Sequence, residues 1–251
     1  MKKLGIGCGV IVLVFVVILV VAFQSGEKQQ EEFFAAVLSG DPAKVTAMLH
    51  PAFSNLLDEP VLQLWMNGVK EGLGEYKGLS ATNFNASTNK TDKGWLTESK
   101  GTVNFEKGTA ESELQMLDGK ITMFKVDSDK IDPKKWFAAA PKSPFYHERG
   151  KNFLTLLLTD KVNDAFAMMH ESLQQAMPLD KLNQAMPSVK ERFGGLKSIE
   201  FASEEFTPGD SPKLKVLYKV LCEKGETTGY VTFQFIGLKG HILGFRVPAE
   251  G

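Results

Sequence analysis

The chain begins with an unbroken apolar run, Leu4 to Phe23, and then turns to amphipathic segments whose hydrophobic period switches between 3.6 and 2. Phe33, Phe34, Val37 and Leu38 share one helical face, and Gly40 ends that helix. Asp41 and Pro42 open a second helix with Val45, Met48 and Leu49 inside, stopped by His50-Pro51. Asp58 opens a third, with Leu62, Trp65, Met66, Val69 and Leu73 along one side and Gly74 behind it. From Leu79 the period becomes 2. Asn83 to Lys93, rich in Asn, Thr and Lys, reads as the loop between the first two strands. Trp95 to Phe105 alternates as a half-buried strand. Glu106-Lys107-Gly108 turns the chain into Thr109 to Leu117, and Asp118-Gly119 is a two-residue hairpin signal leading into Ile121 to Val126. Three helices followed by a four-stranded antiparallel meander predict an α+β layout, with the helices on one face of a curved sheet.

The pattern is then said again. Shifted by 120 positions, Phe33–Leu79 lands on Phe153–Ile199 without a gap, and 12 of its 47 positions match, among them His50/His170, Met66/Met186 and Gly74/Gly194. Phe153 to Leu158, Val162 to Met169 and Leu179 to Phe193 repeat the three helices, with Pro187 inside the third predicting a kink or break near Met186. Strands over Ser198–Phe206, Lys213–Cys222, Thr227–Ile236 and His241–Val247 repeat the sheet. Glu223-Lys224-Gly225 copies the earlier turn, and Lys239-Gly240 stands for Asp118-Gly119. A self-match of this period indicates a duplicated domain rather than a solenoid. The expected division is an anchor over 1–26, a first domain over 27–130, a connector over 131–142 and a second domain over 143–251. Trp136 and Phe137 suggest that the connector packs on a domain.

Leu4 to Phe23 contains 20 residues without a charge, long enough as a helix to span ~30 Å of bilayer. Lys2 and Lys3 before it, and three glutamates after it, place the N-terminus in the cytoplasm and the domains outside it. The expectation is a single-pass cell-membrane protein with extracytoplasmic domains. A cleaved signal peptide, with Val20-Val21-Ala22 as the cleavage site, is the alternative, and the length of the run favours retention. Gly5 and Gly9 form a small-xxx-small pair that could join two copies.

With 251 residues, 43% apolar and 24% charged, the chain holds two packed cores. A net charge of -1 without a basic, aromatic-interleaved patch argues against nucleic acid. Cys8 and Cys222 encode neither a disulfide framework nor a zinc site.

Leu-Gln-Leu-Trp at 62–65, followed by Gly-Glu-Tyr-Lys-Gly at 74–78, resembles a bacterial extracytoplasmic domain family of unknown function in the NTF2-like, cystatin-like cone class. The second copy matches more weakly, with Ala185 at the Trp65 position. The resemblance implies a curved sheet wrapped over helices around an apolar pocket, in a class that includes ligand-binding modules, assembly modules and a few isomerases or dehydratases.

Chemistry is sparse. No two of His50, His147, His170 and His241 stand at metal-ligand spacing, and no nucleophile elbow, phosphate-binding glycine loop or cofactor motif is present. His50 and His170, the titratable pair kept by the repeat, are candidate pocket-mouth groups, or helix-end histidines meeting exposed carbonyls. Trp65 and Trp95 are candidate pocket walls, or core aromatics. The expected function is a non-catalytic binding or assembly module holding a small apolar ligand, an envelope protein or a second copy of itself. An NTF2-like isomerase or hydrolase, with an acid/base residue in one cone, is the alternative.

Overall fold

The structure, a computed structural model, describes residues 26–247. The chain divides into two compact units, with the break between Trp136 and Phe137. The first unit contains α1 (helical residues 26–38), α2 (Pro42–Met48), α3 (Pro51–Ser54), α4 (Glu59–Leu73), β1 (Tyr76–Thr91), β2 (Gly94–Phe105), β3 (Gly108–Leu117), β4 (Lys120–Asp127) and α5 (Pro133–Trp136). The second contains α6 (Ser143–Leu158), α7 (Val162–Ala167), α8 (Glu171–Ala176), α9 (Leu179–Phe193), β5 (Leu196–Thr207), β6 (Lys213–Cys222), β7 (Gly225–Ile236) and β8 (Lys239–Arg246). Each unit is α+β, with its four strands in a plain antiparallel meander.

The membrane expectation is corrected. Leu4 to Phe23 lies outside the described residues, and among those described no helix is long and apolar enough to cross a membrane. A span needs ~20 consecutive apolar residues. The longest described helix, α6, has 16 and carries His147, Glu148, Arg149 and Lys151. The transmembrane helix, the single-pass cell-membrane placement and the extracytoplasmic orientation are therefore withdrawn.

The helix layer also differs in detail. Each unit holds a fourth short helix, α3 or α8, in the segment expected to be a plain stop at His50-Pro51 or its copy. Both histidines adopt extended backbone and let the chain start a new turn at once. Asp41 caps α2 as expected, its carboxylate accepting from the Ala43 N–H at 3.0 Å, whereas Asp58 stands at the start of α4 without a capping bond. α9 runs unbroken through Pro187. The carbonyl that loses its partner belongs to Asn183, and both residues are exposed, so water can replace the missing bond.

Asn83 to Lys93 is not a loop. β1 continues to Thr91, and only Asp92 and Lys93 turn. Phe84, Ala86 and Thr88 point inward in alternation with exposed Asn83, Asn85, Ser87 and Asn89. The Thr88 hydroxyl pairs with that of Thr97 across the strands at 3.2 Å. In the second unit Lys239 and Gly240 belong to β8, and the turn is Gly237-Leu238. One residue pair lies beyond the Met116–Ile121 pair in the first hairpin and three beyond the Phe233–Ile242 pair in the second, so the later hairpin is longer.

The end of the third long helix in each unit is locked to its sheet in the same way. Gly74 (φ 73°) and Gly194 (φ 76°) cap α4 and α9 in a left-handed conformation that glycine adopts without strain. Lys107 Nζ donates to the Glu71 carbonyl at 2.9 Å, and Lys224 Nζ to that of Glu191 at 2.5 Å. Glu106 and Glu223 accept from the backbone N–H of Glu75 and Gly195 at 3.4 and 2.9 Å. The repeated Glu-Lys-Gly turn is thus a clamp on a helix C-terminus, where a cation meets the negative end of the dipole.

The connector has no independent existence. Trp136 lies against Gly68 of α4 in the first unit, while Phe137 is buried beside Phe235 at 5.2 Å in the second.

Candidate functional site

A site of the expected kind would lie between helices and sheet, on the inward faces of the strands. In the first unit that space is occupied. Phe33, Phe34, Leu62, Met66, Val103, Leu114 and Ile121 are fully buried there. Phe124 gathers Phe33, Trp65 and Phe53 around it at 5.2, 5.3 and 5.6 Å. Farther along the sheet the filling is polar. Gln30 of α1 is fully buried and donates to the Ser99 hydroxyl at 3.1 Å, while the Ser112 hydroxyl donates back to Gln30 Oε1 at 2.7 Å. Each polar atom in this bridge answers another, so it seals the inner face rather than offering a binding group.

In the second unit Tyr146, Phe153, Leu154, Val231, Phe233 and Ile242 fill the corresponding space. Tyr218 closes it, its hydroxyl donating to the His147 carbonyl at 2.8 Å. Burial, assisted by the charge of Glu148, pushes the Tyr218 phenol far above its ordinary range, so it stays protonated as a structural donor. The Cys222 thiol is likewise pushed up, by burial and then by Glu223, and stays a thiol rather than a nucleophilic thiolate.

Two recesses among the described residues are surface features. A groove of about 210 Å³ crosses β1, β2 and β3, lined by Asn85, Ser87, Glu98, Lys100 and Glu113. A polar notch of about 370 Å³ is lined by Asp160, Lys161, Asp164 and Asn183. The apolar recess beside Met186, Phe193 and Cys222 holds about 10 Å³, too little for an organic ligand. Among the described residues, no group of three His, Cys, Asp or Glu side chains could hold a metal.

The four candidate site residues do not converge. Trp65 is buried against Phe124. Trp95 stands at the β1–β2 hairpin end, 54% exposed, with the Lys90 ammonium 5.9 Å from its ring. His50 and His170 do sit at helix ends, but as N-caps of the following short helix. Their Nδ1 atoms accept from the backbone N–H of Ala52 at 3.2 Å and Ser172 at 3.3 Å, which assigns the ring proton of the neutral form to Nε2. Their own N–H groups donate to the carbonyls of Ile121 and Ile242 at 2.8 and 3.0 Å, and bring Leu49 and Met169 into parallel bridges with β4 and β8. Each histidine thus starts a helix and covers one edge of its sheet.

The structure also assembles a cluster that sequence spacing does not announce. His147 Nε2 meets Glu204 Oε2 at 2.6 Å, the Ser143 hydroxyl donates to Glu204 Oε1 at 2.6 Å, and the His147 ring stacks on Phe201 at 3.8 Å. The serine faces the carboxylate rather than the imidazole, so the arrangement lacks the nucleophile–base contact of acyl transfer. It ties the first turn of α6 to β5. A phenylalanine and a glutamate three residues apart in an edge strand were the available signal, but nothing linked them to a histidine 57 residues away. No protein-family model matches the chain, and no curated protein matches it either.

Proposed function

We infer that the protein is a non-catalytic binding or assembly module, two tandem NTF2-like units that engage a partner protein through their surfaces. One observation carries this reading: the space between helices and sheet is filled in both units, by Gln30, Ser99 and Ser112 in one and by Tyr218 in the other. A small apolar ligand has no room there, which favours the partner protein over the ligand. The NTF2-like assignment is supported by the element order, helices followed by a four-stranded meander, in each unit.

The isomerase or hydrolase reading draws its support from His147 and Glu204, a carboxylate–imidazole pair of the kind used in general base chemistry. Its weakness is geometric, since among the described residues the recesses over the sheet, beside α4 and beside α9 are lined by neither His147 nor Glu204. The test is site-specific photo-crosslinking in cells from positions 95, 201 and 232, with native mass spectrometry of the purified chain. The module reading expects discrete protein adducts and an unliganded mass. A stoichiometric small molecule, or turnover lost on His147→Ala, would contradict it.

A further inference from the structure

Two imidazoles meet at one corner of the second unit. The rings of His170, at the start of α8, and His241, on the edge strand β8, stand edge to face with centres 4.8 Å apart. Both residues are half-buried. His170 is also where the helices fasten to the sheet edge: its N–H donates to the Ile242 carbonyl at 3.0 Å, beside the Met169–Ile242 bridge. The first unit is fastened likewise through His50 and Ile121, but the residue before that isoleucine is Lys120, whose ammonium donates to the Ala47 carbonyl at 2.7 Å. A permanent cation thus stands where the second unit has a titratable group.

The corner suits the neutral form of His170. Nδ1 accepts from the Ser172 N–H at 3.3 Å, with the Ser172 hydroxyl 2.8 Å away. A proton on Nδ1 makes it a donor; the hydroxyl can accept from it, but the Ser172 N–H loses its acceptor. A second proton, on His241, sets two like charges side by side at a site partly withdrawn from water. The neighbours are mostly cations. α8 brings Glu171, which accepts from Gln175 at 3.2 Å, and α7 brings Asp164 in its first turn, at the end away from His170. α6 sends Arg149 to the Gly240 carbonyl, next to His241, at 2.9 Å. On the sheet, Lys239 lies two residues before His241, and the neutral Gln234 of β7 stands opposite it with Lys213 of β6 beyond.

We propose that His170 and His241 form an acid-sensitive latch, which holds α8 on the edge of the second sheet at neutral pH and releases it in mild acid. Release leaves the core of the unit intact, because α8 contains no buried residue. It costs one capping bond and the backbone bond to Ile242, and it opens the β8 edge to another strand. The sign follows from the cap: its contribution is present above the ordinary imidazole range of ~6.5 and is lost as pH falls through it.

The test is NMR of the full-length chain between about pH 7.5 and about pH 5, which brackets that range. In the wild type the two rings should titrate as a coupled pair, in two steps. Hydrogen-exchange protection of the His170 and Ser172 N–H groups should fall about tenfold over the same interval, while the β6–β7 amides keep theirs. H241Q should leave His170 a single step and a smaller loss of protection. H170N, which keeps a capping acceptor that does not titrate, should lose none. Independent single-step titrations in the wild type, or an equal loss of protection in H170N, would overturn the proposal. A loss at Ser172 matched by the β6–β7 amides would overturn it as well, since the whole unit would then be unfolding.

Discussion

The Tyr218 hydroxyl occupies the place where a side chain on Gly150 would stand. A β-carbon at Gly150 would collide with that hydroxyl and lie 3.1 Å from the ring carbon bearing it. In the first unit the helix position 120 residues before Gly150 holds Gln30, bonded to Ser99 and Ser112, and the strand position 117 residues before Tyr218 holds Gly101. Tyr218 on the sheet requires a residue without a side chain at Gly150 on the helix. Gly150→Ala should therefore destabilise the second unit by about 1–3 kcal/mol through overpacking, although alanine is the better helix former. Combining it with Tyr218→Phe, which removes the colliding oxygen, should recover part of that loss. Urea denaturation of the two single variants and the double variant measures the coupling.

Alkali provides a separate reading of the same residue. The folded chain holds the Tyr218 proton in a range where an unfolded chain, with a phenol near 10, has released it. The stabilisation is therefore complete below about pH 10 and is lost as pH rises above it. Tyr76, raised by burial and by Glu31 and Glu27, contributes with the same sign in the first unit. Thermal denaturation between pH 8 and pH 11, values chosen to bracket the phenol range of about 10, should show a shallower alkaline decline in Tyr218→Phe than in the wild type. Equal declines would remove Tyr218 from this account.

The buried bridge of the first unit should be non-additive. Gln30→Leu leaves the hydroxyls of Ser99 and Ser112 without their partner and should cost about 1–3 kcal/mol. Adding Ser99→Ala and Ser112→Ala removes the orphaned groups, so the triple variant should be more stable than Gln30→Leu alone. Denaturant midpoints of the wild type, Gln30→Leu, the Ser99→Ala/Ser112→Ala pair and the triple variant decide this.

His50 and His170 act here as caps. His50→Ala should cost about 1 kcal/mol, whereas His50→Asn, which keeps a side-chain acceptor for the Ala52 N–H, should cost much less. Hydrogen exchange at Ala52 and Ser172 in the corresponding variants reads the capping bond itself. Protection unchanged in His50→Ala would assign the residue another role.

The duplication, the α+β order and most strands were legible because they rest on local periodicity and on turn chemistry such as Glu106-Lys107-Gly108. The second half of β1 was not, since Asn, Ser and Thr mark loops by composition and form strands only when a partner such as Thr97 supplies the pairing. The short helices after His50 and His170 were hidden for a related reason: a histidine accepting from the backbone two residues on is a tertiary arrangement, fixed by its bond to β4 or β8. Trp65 and Trp95 carry the same side chain to opposite fates, because Trp95 stands exposed at the β1–β2 hairpin end while α4 faces Trp65 to Phe124. The filled interiors depend on which residues oppose one another across 69 to 91 positions of sequence, as in Gln30 with Ser99 and Arg149 with the Gly240 carbonyl.

Methyl-resolved NMR under xenon pressure tests the filled interiors most directly, because xenon enters apolar cavities without a specific polar contact. The account predicts small, linear shifts at Leu62, Val103, Leu114, Leu154, Val231 and Ile242, all fully buried. Large saturable shifts clustered on these methyl groups in either unit would reveal an open cone and contradict it.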